Sequence, residues 1–425
     1  MFPRIALPHA YRALRYRNFR LYFFGLFTSA IGSWMENTAQ SWLVFRLTHS
    51  SFLLGLVMFA GQFPVFALSL VGGVVADRYS RRTLILITQT LQMIQAFVLA
   101  SLTLTNRITV SEVIFLAAFL GLVNAFDIPA RHALTVEMVE PEAFPSTIVM
   151  NATAFTAARV IGPPLAAAIL AFSNEGVCFL INAFSFLAVL WALLLIPVKQ
   201  KRKESQGASP FTSLWEGVTY AYRSLPMRAF LGLLGLVNLM GVSYSVLMPV
   251  FAEKVLHRGA GGFGILLGGV GFGAFLGAFF IGARKNMSGL GKIIAVSCIL
   301  FSSCVILFSL SRSYPLSFFL LVVVGFGLMA QTTSTNTLIQ SLAPSQLRGR
   351  LMSLYAMMVV GVGTFGSLLA GVLAEHFGAP MATAIGGFAC LLGAIWFALL
   401  IPRMRPIVRK GLKASPLLTY IEGTH

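Results

Sequence analysis

Charged residues, and acids above all, are scarce in this sequence. Asp and Glu together number 13 among 425 residues, and all charged residues make up only 10%. A soluble protein of this length carries about a quarter charged residues. The chain is also 57% hydrophobic, with a mean hydropathy of +0.84, which excludes an ordinary soluble domain. The composition predicts an all-α polytopic membrane protein.

Several kinds of chemistry are missing as well. The four cysteines fall inside apolar runs, so the sequence predicts buried thiols rather than disulfides or a redox site. No cluster of His, Cys and carboxylates has the spacing of a metal site, and no cofactor is expected. The sequence has neither a phosphate-binding G-x-x-x-x-G-K-[ST] loop nor a G-x-S-x-G elbow. These absences argue against direct ATP drive and against an enzyme.

What the sequence has in abundance is long apolar segments. Twelve of them reach the ~20 residues that cross a bilayer as a helix. We expect the first to stay in the mature protein, because its apolar run is too long for a signal peptide. The segments are 20–45, 52–75, 83–105, 111–130, 146–172, 176–197, 229–252, 261–282, 291–311, 315–341, 351–374 and 380–402.

The basic residues are distributed unevenly between these segments. An even number of spans puts both termini on one side, and 25 of the 31 Lys and Arg residues lie on that side. Arg159 lies within a span, and the five on the other side are Arg46, Arg107, Lys254, Arg258 and Arg312. This bias predicts cytoplasmic termini. The formal charge of +18 is therefore a sign of topology and not of nucleic-acid binding.

One long polar connection divides the spans into six and six. Its second part, "FTSLWEGVTYAYRSLP", predicts an amphipathic helix at the cytoplasmic membrane face. The apolar positions of that helix are Phe211, Leu214, Trp215, Val218 and Tyr222. The stretches that begin at Pro141 and Pro344 align as weak repeats, as in transporters built from two similar halves. We predict an N-terminal six-helix bundle (1–197), a linker (198–228), a C-terminal six-helix bundle (229–402) and a cytoplasmic tail (403–425).

The stretch "GGVVADRYSRR", residues 72–82, lies between the second and third spans. It resembles the loop signature G-x-L-A-D-R-x-G-R-K of the major facilitator superfamily, and the resemblance covers residues 11–402. The matching positions include Gly73, Asp77, Arg78 and Arg81. Ser80 replaces the second glycine, and a left-handed backbone there would cost serine more than glycine.

A second signature lies in the fifth span. "ARVIGPPLAA" is similar to the g-x-x-x-G-P-x-x-G-G pattern of exporters in this superfamily. Gly162 and Pro163 match it, and alanines replace the outer glycines at Ala158, Ala166 and Ala167. The stretches "GSWMENTAQSWLVFRLTHSSFLLG" and "AFDIPARHAL" resemble the bacterial branch that contains enterobactin exporters and macrolide efflux proteins. The resemblance implies the major facilitator fold, twelve transmembrane helices in two six-helix pseudo-repeat bundles, in the cytoplasmic (inner) membrane of a bacterium.

Proton coupling needs a carboxylate or histidine that titrates within the membrane, where such residues are few. Glu36 lies in the first span, on a stripe whose other members are Ser29, Ser33, Asn37 and Gln40. We expect the stripe to face a central cavity, since lipid would not tolerate it. The alternative is a carboxylate near the external rim that is satisfied by water and Asn37. Asp127, at the cytoplasmic end of the fourth span, is the second candidate.

An inner gate is the function that the resemblance implies for the loop signature. Asp127 and Arg131 share a helix face, so they can pair, or Arg131 can reach Asp77. In the superfamily the loop aspartate faces the start of span eleven. The residues we assign to the gate are Asp77, Arg78, Arg81, Arg131, Arg348 and Arg350. The alternative is a set of static ion pairs.

Arg159 is the one basic residue well inside a span. An unpaired guanidinium there would be prohibitive, so it implies a partner, a water cavity or an anionic substrate. The neighbouring "GPP" (Gly162, Pro163, Pro164) is expected to interrupt the regular helix, because proline lacks a donor and bends the chain. Gly162, Ala166 and Ala167 allow close helix packing. This is the exporter-type feature that the resemblance associates with sealing the external face.

Polar and aromatic side chains on other spans are candidates for lining a substrate cavity, although each is also compatible with a simple interhelical hydrogen bond. With Asn37 and Gln40, the candidates are Gln62, Asn124, Asn151, Asn238, Tyr244, Gln331, Asn336 and Tyr355.

The sequence predicts a secondary transporter that works by alternating access. We expect it to export a small, moderately hydrophobic drug- or siderophore-like molecule in exchange for protons, as a monomer in the lipid bilayer. Uptake or lipid flipping without proton coupling is the main alternative. A non-transporting membrane sensor is the alternative from another class.

Overall fold

The structure is a computed structural model that describes residues 9–196, 210–284, 289–344 and 346–413. In these ranges the regular structure is entirely helical. This is what a bilayer requires, because a helix satisfies its backbone hydrogen bonds internally. The prediction of an all-α polytopic fold is confirmed, and each of the twelve apolar segments corresponds to a helical stretch.

Six long helices form the first half of the chain. A 3₁₀ turn at His9–Arg15 precedes them and another, Pro141–Ala143, separates the fourth from the fifth. The helices are α1 Arg17–Thr48, α2 Ser51–Arg78, α3 Arg81–Leu104, α4 Val110–Glu137, α5 Phe144–Phe172 and α6 Glu175–Leu195.

The second half contains two spans that are interrupted by π-helical turns. The seventh span has two such turns, Val237–Gly241 and Phe251–Val255, and the eleventh has one, Met357–Gly361. Turns of this kind occur often at functional sites. The helices are α7 Pro210–Arg223, α8 Leu225–Leu236, α9 Ser243–Val250, α10 Gly259–Gly282, α11 Leu290–Leu310, α12 Tyr314–Leu342, α13 Arg348–Ala356, α14 Val362–Phe377 and α15 Ala379–Lys413.

Eleven helical segments of the described chain are long and apolar enough to cross a membrane. The remaining predicted span is α1, which at 32 residues is long enough but carries the polar stripe and several charges. The last helix continues well past the predicted end of its span at residue 402, through Pro402 and Pro406 to Lys413. Part of the predicted linker (198–209) and of the tail (414–425) lies outside the described residues.

The chain forms two compact units. The first comprises Met1–His49, Ala60–Gln206 and Gly259–Gly268, and the second comprises Ser50–Phe59, Gly207–Arg258 and Gly269–His425. The predicted boundaries of the two six-helix bundles, the linker and the tail remain a prediction.

Small residues allow the close packing inside each unit. In the first, Gly25 of α1 lies against the backbone of Ala188 in α6, and Gly32 lies against Asn182 and Ser185. In the second, Gly273 of α10 lies against the backbone of Val322 in α12. Helices in lipid gain little from burying apolar surface, so van der Waals contact at such positions supplies much of the packing energy.

The short helix α7 coincides with the predicted amphipathic segment. Gly217 packs against Arg350 of α13, while Trp215, Val218 and Tyr222 are exposed along the other side. The side chains of Phe211 and Leu214 lie outside those that the structure describes. Attachment of this exposed face to the membrane surface remains a prediction.

Candidate transport and coupling sites

The turn between α2 and α3 brings together three charged side chains of the loop signature and its surroundings. Arg81 Nη1 lies 2.5 Å from Glu137 Oε1 of α4, and Arg81 Nη2 lies 3.4 Å from Asp77 Oδ1. Arg81 Nε also donates to the Ala76 carbonyl oxygen at 3.4 Å. The Asp77 side chain remains 61% exposed, so its contribution to folding is small.

The neighbouring arginines differ in their roles. Arg82 donates from Nε to the Leu193 carbonyl oxygen at 2.9 Å and from Nη2 to the Leu194 carbonyl oxygen at 3.3 Å. These carbonyls belong to the last turn of α6, where a cation also interacts favourably with the helix dipole. Arg78 is exposed. Arg82 therefore fastens the turn to α6, an interaction that the signature alone does not indicate.

Ser80 acts as the N-cap of α3. Its side chain accepts from the Thr83 backbone N–H at 3.3 Å, and the Thr83 hydroxyl donates to it at 2.9 Å. Its backbone has φ −58° and ψ 110°, outside the left-handed region. The cost anticipated for replacing the family glycine therefore does not arise, because this turn needs a cap and not a positive φ.

Asp127 lies deep inside the first unit, with no solvent-exposed surface. Its Oδ1 accepts from the Thr88 hydroxyl at 2.7 Å and from Gln89 Nε2 at 3.1 Å. Its Oδ2 lies 2.5 Å from Arg131 Nε. Of the two pairings open to Arg131, the structure has the one with Asp127, while Asp77 pairs with Arg81. A buried ion pair with these extra donors is costly to break from one side.

A row of amides on α3 continues from Asp127 into the membrane. Gln89, Gln92 and Gln95 recur at steps of three and are buried. Gln89 Nε2 lies 3.5 Å from Gln92 Oε1, and Gln92 Nε2 donates to Asn124 Oδ1 at 3.2 Å. Sequence reasoning missed this row, although the spacing in "TQTLQMIQ" contains the signal.

Glu36 is buried between α1 and α6. Asn182 Nδ2 donates to Glu36 Oε2, while the other carboxylate oxygen has no hydrogen-bond partner among the described residues. Ser185 donates from Oγ to Asn182 Oδ1 at 3.1 Å, which fixes that amide. Gly32, one turn before Glu36, lets α6 approach closely enough for this contact. No ion pair of Glu36 with a basic residue is found in the described part of the chain.

The polar stripe of α1 divides into two sides. Ser29, Glu36 and Gln40 are buried, whereas Asn37 is exposed and donates from Nδ2 to the Ser33 carbonyl oxygen at 3.0 Å. The partner of Glu36 is thus Asn182, a residue 146 positions away, and not its neighbour Asn37. The structure shows no hydrogen bond between the side chains of Glu36 and Asn37.

Arg159 lies over the ring of Trp34, with the guanidinium carbon 5.5 Å from the ring centroid. One turn further along α5, a side chain at Gly162 would come within 2.5 Å of Trp34 Cβ. The expected interruption at Gly162–Pro163–Pro164 is absent, and α5 is helical from Phe144 to Phe172. The expectation was wrong because the fixed φ of proline, about −65°, is a helical value, so the helix continues although each proline removes a donor and crowds the carbonyl four residues earlier.

Helix α10 packs closely against α5 beside these prolines. A Cβ atom built on Gly264 of α10 would lie 2.5 Å from the Pro163 carbonyl oxygen. Ala166 and Ala167 of α5 are buried. The glycine-rich start of α10 thus lies against the small-residue face of α5, as the close-packing prediction requires.

A cavity of about 330 Å³ lies beside the ends of α1, α3, α5 and α6. Arg46 and Glu175 form a bidentate pair in its wall, Nε to Oε1 at 2.7 Å and Nη2 to Oε2 at 3.0 Å. The Glu175 side chain is only 4% exposed, so Arg46 compensates the charge of a buried carboxylate. The lining residues are Trp42, Arg46, Thr103, Asn106, Leu170, Ser173, Asn174 and Glu175.

The remaining candidates for a substrate cavity differ in exposure. Gln62 is exposed, Asn151 is half-buried, and Tyr244 is buried with its ring 6.3 Å from that of Phe301. Asn238 donates from Nδ2 to the Leu234 carbonyl oxygen at 2.9 Å, within a π-helical turn. The cavity assignment of each of these residues remains a prediction.

Three further candidates cluster between α12 and α13. Tyr355 donates from its hydroxyl to the Thr332 carbonyl oxygen at 3.3 Å, and Asn336 Oδ1 accepts from Gln340 at 2.5 Å. Gln331 is buried, and its side-chain nitrogen has no partner among the described residues. A buried amide donor of this kind marks a place where a ligand or water can bind.

The two arginines at the start of α13 have separate environments. Arg350 pairs through Nη1 with Glu216 of α7. The Nε of Arg348 is buried without a hydrogen-bond partner among the described residues. Their assignment to an inner gate remains a prediction. Within the described ranges, no group of three or more His, Cys, Asp and Glu residues is arranged to hold a metal ion.

The sequence of the chain matches the MFS_3 family, described as transmembrane secretion effector, over residues 9–415. The chain belongs to this family. It is a membrane transporter of the major facilitator type and not an enzyme. The resemblance to the major facilitator superfamily is therefore confirmed.

Curated relatives of this transporter include siderophore carriers. The staphyloferrin A transporter of Staphylococcus aureus (strain NCTC 8325 / PS 47) is 25% identical over 89% of this chain and 95% of its own length. The enterobactin exporter EntS of Shigella boydii serotype 4 (strain Sb227) is 24% identical over 91% of this chain and 92% of its own length.

Solved structures of other major facilitator proteins share the fold. A point mutant of the nucleoside transporter NupG has a TM-score of 0.71 at 16% identity, covering 90% of this chain and 99% of its own. A bacterial homologue of the human lysosomal transporter Spinster also has a TM-score of 0.71, at 13% identity, covering 90% and 96%. At these identities the likeness establishes the fold alone.

Proposed function

We propose that this transporter exports a small, moderately hydrophobic, siderophore- or drug-like molecule by alternating access, in exchange for protons. The observation that carries the proposal is Glu36, a carboxylate buried within a transmembrane helix beside Asn182. Ionisable residues in such a position are costly and are kept for function.

The two candidates for proton coupling, Glu36 and Asp127, have different surroundings. Asp127 is paired with Arg131 and accepts from two further hydrogen-bond donors, Thr88 and Gln89. Glu36 has one amide donor and one unpaired oxygen among the described residues. A carboxylate with so little compensation can bind and release a proton as its access to water changes. We therefore assign Glu36 the coupling role and Asp127 a supporting one.

The relatives support the class of cargo. A staphyloferrin A transporter and an enterobactin exporter both align with about nine-tenths of this chain. We therefore favour a siderophore-like cargo. We also propose that the protein exports it as a monomer across the cytoplasmic (inner) membrane of a bacterium. Uptake, lipid flipping and a sensor role are the alternatives that a direct transport assay separates.

The test is counterflow in proteoliposomes under an imposed pH gradient, with staphyloferrin A and enterobactin as probes. We expect Glu36→Gln to abolish stimulation by the gradient and Asp127→Asn to reduce it. Glu112→Gln is the matched control, since Glu112 lies in the capping box at the start of α4 and glutamine preserves that cap. Full gradient-driven flux in Glu36→Gln would show that the coupling assignment is wrong, and full flux in Asp127→Asn as well would remove both candidates.

A further inference from the structure

We infer that Arg159 binds an anionic group of the cargo, with the Trp34 ring as the floor of that subsite. The inference rests on the proposed transport of a small molecule and specifies its chemistry, an acid attached to an apolar or aromatic body. It starts from a residue that the transport proposal leaves unused, the single basic side chain well within a span.

The helix packing explains why the guanidinium is held where it is. Because Gly162 has no side chain, α5 approaches α1 so closely that Trp34 Cβ lies beside it. Ala158, next to Arg159 and four positions before Gly162 on the same helix face, is fully buried. Arg159 lies one turn before Gly162 and is thereby placed over the Trp34 ring at 5.5 Å. The small residues of the exporter signature thus position a cation on an aromatic face.

The charge of Arg159 is not neutralised by the described part of the chain. The ion pairs found there involve Arg46, Arg81, Arg131 and Arg350. A cation–π contact engages the face of the guanidinium and leaves the N–H groups on its edge able to donate. A positive charge within a membrane span needs an anion or water as its partner. The Arg159 side chain is half-buried, so either can reach it.

Two polar side chains, each one turn along its helix from Arg159 or Trp34, donate within their own helices. The Thr156 hydroxyl donates to the Ala152 carbonyl oxygen at 2.8 Å, and Asn37 donates to the Ser33 carbonyl oxygen at 3.0 Å. The wall next to the guanidinium is aromatic, since Phe155 meets Trp34 edge to face at a centroid distance of 5.7 Å. The pattern of one planar donor fork beside two aromatic rings fits a carboxylate on a flat or apolar scaffold.

The experiment compares a matched acid and amide. Binding of 2-naphthoate and of 2-naphthamide to the purified full-length transporter is measured by calorimetry, without any gradient. We expect the wild type to bind the acid about tenfold or more tightly than the amide, as befits a charge-assisted hydrogen bond. Arg159→Gln should remove this preference, and Arg159→Lys, which keeps the charge but not the fork, should retain part of it.

Arg258→Gln is the control, because Arg258 also lies over an aromatic ring, that of Tyr314 at 5.4 Å, but at the end of a span. It should leave the acid preference unchanged. The inference is overturned if the wild type binds both probes equally or if Arg159→Gln keeps the preference at an unchanged melting temperature. Because no flux is measured, a failure of proton-coupled export would leave this result standing.

Discussion

Single residues in the turn between α2 and α3 have separable roles. Ser80 caps α3, Arg82 binds the last carbonyls of α6, and Arg81 joins the turn to Glu137. All three interactions stabilise the turn, and none needs Asp77. The loop aspartate is the most exposed partner among these contacts, which points to a role other than folding.

Asp77→Asn tests that role. The pair with Arg81 is exposed and 3.4 Å long, so its loss should change the free energy of unfolding by less than about 1 kcal/mol. If Asp77 instead stabilises one state of an inner gate, Asp77→Asn should change the rate at which the transporter exchanges between its two states. A loss of ~1.4 kcal/mol of stabilisation corresponds to a tenfold change in that rate. The measurement is counterflow alongside equilibrium binding and thermal unfolding.

Tyr79→Phe is the control for Asp77→Asn, since Tyr79 is an exposed neighbour in the same turn and has no assigned role in the gate. It should leave both flux and melting temperature near the wild-type values. Weaker substrate binding by Asp77→Asn, with unchanged exchange, would contradict the gate.

The helices themselves show how little a signature reveals about packing. Gly73 occupies the signature position, yet nothing lies within 4 Å of where its side chain would begin. Its neighbour Gly72, one position earlier, faces α4, and a methyl group there would overlap the Ala125 carbonyl oxygen. The close contact of α2 with α4 therefore depends on the glycine that the pattern does not specify.

Adjacent glycines make a matched pair of variants. Gly72→Ala should destabilise the protein by about 1–3 kcal/mol, because α2 and α4 would be forced apart. Gly73→Ala should be neutral or stabilising by up to about 1 kcal/mol, since alanine is the better helix former. Thermal unfolding in detergent measures both, and a Gly72→Ala variant as stable as Gly73→Ala would show that the contact is not tight in solution.

At the scale of the whole molecule, the bias of basic residues predicts which side of the membrane each loop occupies. Arg107 follows α3 and Arg223 ends α7, and both side chains are exposed. The four native cysteines are buried and should react little with a water-soluble maleimide. The chain therefore offers a low background for labelling introduced thiols.

Arg107→Cys and Arg223→Cys test the topology with the same change of charge. In intact bacterial cells an impermeant maleimide should label Arg107→Cys, and it should label Arg223→Cys only after the membrane is opened. These outcomes follow from cytoplasmic termini and an even number of spans. Labelling of Arg223→Cys in intact cells would show that the orientation is opposite to the predicted one. The gate would then lie on the external side of the membrane.

The linear sequence was sufficient for the helices and the family. The apolar runs determine the spans because a chain in lipid must satisfy its backbone within each helix, and charge has few places to lie. The loop around Asp77 and the "GPP" of the fifth span carried the family resemblance. Their local geometry did not follow, as the capped turn at Ser80 and the uninterrupted α5 show.

What only the tertiary structure decided is which groups meet. Glu36 contacts Asn182, Asp127 contacts Gln89, and Arg159 lies on Trp34, and these partners are distant in the chain. The helical period of a sequence predicts the face of a helix on which a side chain lies, but it does not predict which other helix packs against that face. That choice depends on where Gly32 and Gly162 allow two helices to approach, and a single sequence does not specify the partner at each close contact.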